Sequence, residues 1–130
     1  MPIDLSSAGI SKIAALSAIG ALAERWRIPK TERYLLLGVP QNTANHWFSN
    51  LSRGEIDERE TLRAPILERI SHVLSIYDVL HRLIKGPEAD EWLERPNRAF
   101  GGQQPRELLL SGRSDDLLRV RWYLELVASQ

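Results

Sequence analysis

Three histidines, His46, His72 and His81, are the side chains best suited to bind a metal ion or to transfer protons. His72 and His81 are nine residues apart on one predicted helix, which places them on opposite sides, about 180° apart. They therefore cannot share a metal ion, and no pair has the i, i+4 spacing that zinc enzymes use. The chain has no cysteine, which also excludes a thiolate metal site and a cysteine nucleophile. We expect no metal and no other cofactor.

Two other patterns could suggest catalysis, and each has a simpler explanation. Gly101-Gly102 is not followed by the Lys-Ser/Thr pair that completes a phosphate-binding loop. Asp115 and Asp116 are adjacent carboxylates, but they follow Ser114 at the predicted start of a helix, where acids interact favourably with the helix dipole. The sequence therefore predicts a binding protein rather than an enzyme.

A polar helix face between residues 41 and 50 has side chains that can read DNA bases. A short helix, a turn at Gly38 and a second helix are the layout of a helix-turn-helix. Asn and Gln can form two hydrogen bonds with adenine, and a nearby arginine can contact phosphate. The candidate DNA-binding residues are Gln41, Asn42, Asn45, His46, Asn50 and Arg53. The alternative is a solvated face on a small helical core that never contacts DNA.

The charge distribution gives this DNA hypothesis limited support. Lys plus Arg equals Asp plus Glu at 17 each, so the whole molecule has no long-range attraction to nucleic acid. Between Lys12 and Arg53, six basic residues outnumber two acidic ones, whereas residues 66–130 have nine basic and ten acidic residues. Few phosphate contacts are therefore available, and a homodimer would double them.

The last predicted helix is apolar on nearly every side. Its apolar residues are Leu117, Leu118, Val120, Trp122, Tyr123, Leu124, Leu126 and Val127. Such a helix must be buried on more than one face. Either it lies wholly within the monomer core, or another protein covers one face. A patch of Trp, Tyr and Leu edged by Arg119 and Arg121 has the composition of an interface hot spot.

The elements that position these residues are all predicted to be helices, because no segment alternates with the period of two that a strand requires. Residues 1–8 are expected to form a mobile or lightly docked arm, and 54–64 a loop. The predicted helices are Ile10 to near Trp26, Glu32–Leu37 with Thr31 as N-cap, Pro40 to about Asn50, Ile66–Ile84, Glu88–Leu93, Pro105–Leu109, and a last one through Val127 capped by Ser114.

The most apolar stretch, Ile13–Ala23, follows Lys12 and has some features of a secretory signal. It lacks a basic amino-terminal region, since Asp4 is the only other charge before Lys12, and Ser17 interrupts it. No run approaches the ~20 apolar residues that span a bilayer. We expect a soluble cytoplasmic protein, which the absence of cysteine also suits.

The most distinctive motif runs from Trp92 to Leu109. It reads Trp-Leu-x-x-Pro-Asn-x-x-Phe-Gly-Gly-x-x-Pro-x-x-Leu-Leu, and Asp116-Leu117-Leu118 and Arg121-x-Tyr123-Leu124 follow it. We expect Trp92, Phe100 and Leu108 to build the fold first, and Gly101-Gly102 to allow a tight turn where a side chain would clash. The motif resembles the toxin-binding domain of Xre/MbcA/ParS-type antitoxins. Upstream, Leu35-Leu36-Leu37-Gly38-Val39-Pro40 with Trp47 is similar to the Xre-type helix-turn-helix that accompanies it.

The resemblance implies an all-α protein with an Xre-like helix-turn-helix domain, residues 1–65, followed by a small helical dimerisation and toxin-binding region, residues 66–130. It implies a type II antitoxin that neutralises a RES-domain, NAD-degrading toxin and binds its own promoter. The toxin-binding residues would be Arg119, Trp122, Tyr123 and Leu126, on the final helix. The first helix and the Ile66–Ile84 helix are candidates for homodimerisation. The alternative is a stand-alone repressor without a toxin partner.

Overall fold

The computed structural model describes residues 10–130, which form seven α-helices and three short 3₁₀ turns. The helices are α1 (Lys12–Arg25), α2 (Tyr34–Leu37), α3 (Gln41–Ser52), α4 (Ala64–Leu83), α5 (Glu88–Glu91), α6 (Pro105–Leu109) and α7 (Ser114–Ala128). The 3₁₀ turns are Lys30–Glu32, Trp92–Glu94 and Arg98–Phe100. These residues include no strand, which confirms the predicted all-α fold. The arm predicted for residues 1–8 lies outside the described part.

The chain divides into two compact units, the first ending at Ser71 and the second spanning His72–Gln130. The boundary falls inside α4, which has buried residues on both sides of it. A functional boundary between residues 65 and 66 remains a prediction. None of the helices between residues 10 and 130 is long and apolar enough to cross a membrane.

In the first unit, helix α1 begins with a side-chain cap and ends in a left-handed turn. Ser11 Oγ accepts a hydrogen bond from the N–H of Ala14 at 3.1 Å, which satisfies a donor of the first turn. At the other end Arg27 adopts a φ of 56°, and the N–H of Ile28 donates to the carbonyl of Ala23 at 2.8 Å. The buried face of α1 consists of Ala15, Leu16, Ile19, Leu22 and Ala23.

A glycine turn joins α2 to α3, as predicted. Gly38 has a φ of 71°, and its N–H donates to the carbonyl of Tyr34 at 2.9 Å. The buried side chain of Arg69, from α4, packs against this turn and donates to the carbonyl of Leu35 at 2.8 Å. Helix α3 begins directly after Pro40 and continues two residues beyond its predicted end. The segment α2–Gly38–α3 is therefore fixed by a contact from outside it.

The start of α2 was predicted wrongly. Thr31 does not cap an α-helix, because Lys30–Glu32 forms a 3₁₀ turn. The helix begins one residue after Arg33, whose side chain donates to the carbonyl of Ile28 at 3.1 Å and to the carboxylate of Glu24 at 2.8 Å. These two contacts hold Arg33 against the end of α1, and the regular helix starts only beyond it.

The second unit is built by the carboxy-terminal part of α4 with α5, α6 and α7. Helix α6 packs on α7 and on the Trp92–Glu94 turn. The main buried residues of the second unit are Val73, Ile76, Leu80, Leu93, Phe100, Leu108, Leu109, Leu117, Val120 and Leu124. Phe100 and Leu108 are therefore fold residues, as predicted, while Trp92 is half-buried.

Two local predictions in this unit need correction. Gly101 and Gly102 have φ angles of 65° and 85°, but a Cβ at either position would meet nothing within 4 Å. Glycine is favoured there by the left-handed backbone and not by crowding. Helix α7 begins at Ser114 itself, so Ser114 is not its N-cap. Arg113, which has an extended backbone, is the N-cap. The helix therefore starts one residue earlier than it would with Ser114 as the N-cap.

Candidate partner-binding and DNA-binding surfaces

Helix α7 has a buried face and an exposed apolar face. Leu117, Val120 and Leu124 are buried in the second unit. Trp122 and Leu126, one turn apart on another side of the helix, are each 61% exposed, and Val127 is 41% exposed. Complete burial of α7, the alternative left open by its apolar composition, is therefore wrong. Exposed apolar side chains this large commonly mark a surface that another protein covers.

An aromatic cluster lies beside this exposed face. The ring of Tyr123 stacks on Trp92 at 6.2 Å between centroids, with 15° between the planes, and meets the edge of Phe100 at 5.3 Å. Trp92 and Phe100 also contact each other edge-to-face at 6.4 Å. Aromatic pairs at such separations each contribute ~0.5–1.5 kcal/mol beyond their buried area. Tyr123 therefore anchors α7 to the Trp92–Phe100 motif, while its neighbour Trp122 faces solvent.

The two arginines predicted to edge the patch lie in different surroundings. Arg119 is exposed, with its guanidinium carbon 5.9 Å from the centre of the Phe100 ring and a nitrogen 3.5 Å from Asp116. Arg121 does not edge the patch. Its guanidinium lies 2.7 Å from Nδ1 of His72 and 2.8 Å from the carboxylate of Glu125, and only 13% of its side chain is exposed.

The exposed face of α3 is polar, as predicted. Gln41, Asn42, Asn45 and His46 are exposed, whereas Asn50 is half-buried. The side chain of Gln41 donates to the carbonyl of Thr31 at 2.9 Å, so one of its polar groups is already engaged. Of the four residues predicted to form the core-facing stripe, only Ala44 is fully buried, and Trp47, Phe48 and Leu51 are half-buried. Trp47 packs under the ammonium of Lys12, which lies 4.5 Å from its ring centre.

Three of the candidate DNA-binding residues are linked by side-chain hydrogen bonds. Arg53 donates to Oδ1 of Asn50 and to Oγ of Ser49, both at 2.8 Å, and lies 3.1 Å from the carboxylate of Glu55. Nδ2 of Asn50 lies 3.2 Å from Nε2 of His46. The sequence places these residues about one helical turn apart, but it does not show that Arg53 donates hydrogen bonds to residues of its own helix.

The remaining polar clusters have local structural partners. His81 lies 2.9 Å from Asp90, with the ring of Tyr77 packed 4.2 Å away. Among residues 10–130, no three His, Asp or Glu side chains come close enough together to hold a metal ion. The pKa of Glu24 is lowered by its hydrogen bond to Arg33, and burial lowers the pKa of Arg69.

Comparison with known proteins identifies the second unit. Residues 77–127, which include the aromatic cluster and all of the exposed face of α7, match the family described as the Antitoxin Xre/MbcA/ParS C-terminal toxin-binding domain. This segment is thus a toxin-binding domain, and a toxin partner follows from it. The chain therefore contains the carboxy-terminal toxin-binding domain of the Xre/MbcA/ParS antitoxin family.

A curated relative matches much more of the chain than this domain. The uncharacterized protein y4oB of Sinorhizobium fredii is 38% identical over 113 residues, which cover 86% of this chain and 82% of that protein. The similarity therefore extends into the first unit, beyond the toxin-binding domain. No solved structure matches the chain.

Proposed function

We propose that this chain is the antitoxin of a type II pair, and that it binds and neutralises a RES-domain toxin that degrades NAD⁺. The observation that carries the proposal is the exposed apolar face of α7, Trp122 with Leu126, inside the toxin-binding domain. Arg119 lies on the same side of the helix and supplies a cation beside the apolar pair. Aromatic and arginine side chains are the ones most enriched in interface hot spots.

The surroundings of this face support a prearranged interface. The buried side of α7 and the stacking of Tyr123 on Trp92 hold the helix in place, so little conformational entropy is lost when its outer side is covered. Arg119 is likewise restrained by Asp116 and Phe100. A toxin covering Trp122 and Leu126 would remove a large apolar area from water, and this is the main favourable contribution to binding.

Neutralisation is tested by co-expression with the product of the gene next to this one, which we propose is the RES-domain toxin. The unmodified chain should restore growth, whereas a variant with Trp122→Ala and Leu126→Ala should not, since truncating such anchors costs ~2 kcal/mol or more each. Leu83→Ala is the matched control, because Leu83 is an exposed leucine of the same domain on another helix. A neighbour that is harmless alone, or that stays toxic beside the unmodified chain, would contradict the proposal.

A second part of the proposal is that the first unit binds the promoter of the same operon. Its support is the α2–Gly38–α3 arrangement of a helix-turn-helix, with exposed Asn42, Asn45 and His46 on the second helix. The basic excess between Lys12 and Arg53 suits phosphate contacts. We also propose a homodimer, which would present two such helices to two half-sites.

DNA binding is tested by a mobility shift on the upstream promoter. The logarithm of the binding constant should fall linearly with the logarithm of the salt concentration, because phosphate contacts release counterions. Joint substitution Asn42→Ala and Asn45→Ala should reduce promoter affinity, and Gln103→Ala, an exposed amide of the second unit, should not. If the chain gives no mobility shift at low salt, the DNA-binding part of the proposal is wrong. The proposed toxin binding would not be affected by that result.

The stand-alone repressor remains less well supported than the antitoxin. A repressor without a toxin partner has no use for a toxin-binding domain at residues 77–127. In such a repressor the carboxy-terminal half would only dimerise, and the exposed Trp122 and Leu126 would have to form the dimer contact. The co-expression experiment separates the two functions directly.

A further inference from the structure

The hydrogen-bonded residues at the end of α3 fix the proton position on His46. Arg53 donates to Oδ1 of Asn50 at 2.8 Å, and a guanidinium can only donate hydrogen bonds. The amide of Asn50 therefore has its oxygen toward Arg53 and its NH₂ group toward His46. Because that NH₂ group can only donate, Nε2 of His46, 3.2 Å away, must be the acceptor. A neutral His46 then has its proton on Nδ1.

Two further contacts hold the guanidinium of Arg53 beside Asn50. Its guanidinium lies 3.1 Å from the carboxylate of Glu55 and donates to Oγ of Ser49 at 2.8 Å. With three partners on its own helix and the following turn, Arg53 is engaged locally. This differs from the phosphate contact that the sequence suggested for it. The order of donation runs from Arg53 through Asn50 to His46.

We infer that His46 is a base-reading residue whose Nδ1–H is offered to DNA as a hydrogen-bond donor, and that Asn50 and Arg53 are positioning residues that select this tautomer. The inference rests on the proposed DNA-binding function. His46 is exposed on the same face as Asn42 and Asn45, so its ring can be reached by a base edge. In the major groove a donor finds an acceptor on guanine, adenine or thymine, whereas cytosine presents only its own donor.

The tautomer is measured by nitrogen-15 NMR of the full chain at pH 9, where imidazoles are neutral, because protonated and unprotonated ring nitrogens have well-separated shifts. The unmodified chain should have the proton of His46 on Nδ1. Asn50→Asp keeps the size and the Arg53 contact but replaces the donor with an acceptor, so the proton should move to Nε2. Asn45→Asp adds the same charge to the same face and should leave the tautomer unchanged. A proton on Nε2 in the unmodified chain, or no change in Asn50→Asp, overturns the inference.

Base reading is measured on the promoter fragment by mobility shift. His46→Ala should weaken promoter binding about tenfold relative to the unmodified chain and change binding to an unrelated duplex much less, since a contact to a base edge depends on sequence and a phosphate contact does not. Equal weakening on both duplexes would show that His46 reads no base. If the unmodified chain binds no DNA at low salt, the proposed DNA function fails together with the base contact. The NMR result still decides separately whether Asn50 and Arg53 set the tautomer.

Discussion

Gly38 and Gly54 have nearly the same left-handed backbone, with φ angles of 71° and 68°, but their surroundings differ. A Cβ at Gly38 would lie 2.5 Å from Cδ and Nε of Arg69, whereas a Cβ at Gly54 would meet nothing within 4 Å. Arg69 cannot move away cheaply, because it is buried and donates to the carbonyl of Leu35. Gly38 is therefore required by a tertiary contact as well as by its backbone angle.

We expect Gly38→Ala to destabilise the protein more than Gly54→Ala. The backbone strain of a non-glycine residue, ~1–2 kcal/mol, is common to both substitutions. Gly38→Ala adds the displacement of Arg69, an overpacking cost of ~1–3 kcal/mol. Urea unfolding of the two variants beside the unmodified chain measures the difference. Equal losses of unfolding free energy would show that Arg69 yields without cost.

The contact between Arg33 and Glu24 should make stability depend on pH in the acid range. The hydrogen bond from Arg33 lowers the pKa of Glu24 below its ordinary value of 4.5 in the folded chain. Since the folded pKa is the lower one, the contact stabilises the fold above about pH 4.5 and is lost as the pH falls through the folded value. Glu24 is exposed, so the effect should be small.

Thermal unfolding at pH 7 and pH 3 checks this expectation. Glu24→Gln should have a smaller difference in Tm between the two pH values than the unmodified chain. Glu68→Gln, which changes an exposed glutamate on α4, should retain the full difference. A Glu24→Gln variant that loses as much Tm on acidification as the unmodified chain would contradict the assigned pKa direction.

Helix α7 has residues that build the fold next to residues that we propose bind the toxin. Adjacent aromatic residues have opposite surroundings: Tyr123 stacks on Trp92 and contacts Phe100, while Trp122 is 61% exposed. The helix repeat of 3.6 residues separates the two side chains by about 100°. Their substitutions should therefore affect different properties.

We expect Tyr123→Leu to lower the unfolding free energy by about 1–3 kcal/mol, because it removes two aromatic contacts. Trp122→Leu should change stability by less than ~0.5 kcal/mol, as exposed substitutions usually do, while weakening toxin binding. Chemical unfolding and calorimetric titration with the toxin measure the two effects. A Trp122→Leu variant with unchanged toxin affinity would remove Trp122 from the interface.

The sequence was sufficient to predict the α-helices, but not every cap or exposed face. Periodicity with proline and glycine placed α1, α3, α4 and α7 to within a few residues, since those signals are local. The start of α2 was missed because it depends on Arg33 binding Ile28 and Glu24. Similarly, Arg121 is turned inward by His72, 49 residues away, and no local pattern contains that contact.

The same limit applies to the candidate sites. An apolar composition on all sides of α7 left open whether the helix is wholly buried or has one face covered by another protein, and it could not choose which residues are exposed. The family motif identified the toxin-binding domain because it occupies consecutive positions from Trp92 onward. The link from Arg53 to Asn50 and His46 needed side-chain orientations, which spacing alone does not provide.

At the scale of the whole molecule, the two proposed activities are assigned to different units. The polar face of α3 belongs to the first unit and the exposed face of α7 to the second. The first unit has a local basic excess between Lys12 and Arg53, a range that includes α3, although residues 1–71 as a whole have nine basic and eight acidic side chains. Substitutions on one face should therefore leave the activity of the other measurable.

We propose that the second unit neutralises a toxin through the outer face of α7. The most direct measurement is the rate of NAD⁺ consumption by the purified product of the neighbouring gene, the proposed RES-domain toxin, as this chain is added. The rate should fall to the background level once this chain is in stoichiometric excess, and the variant with Trp122→Ala and Leu126→Ala should need a much higher concentration. Undiminished NAD⁺ consumption in the presence of excess unmodified chain would show that the chain does not neutralise this enzyme.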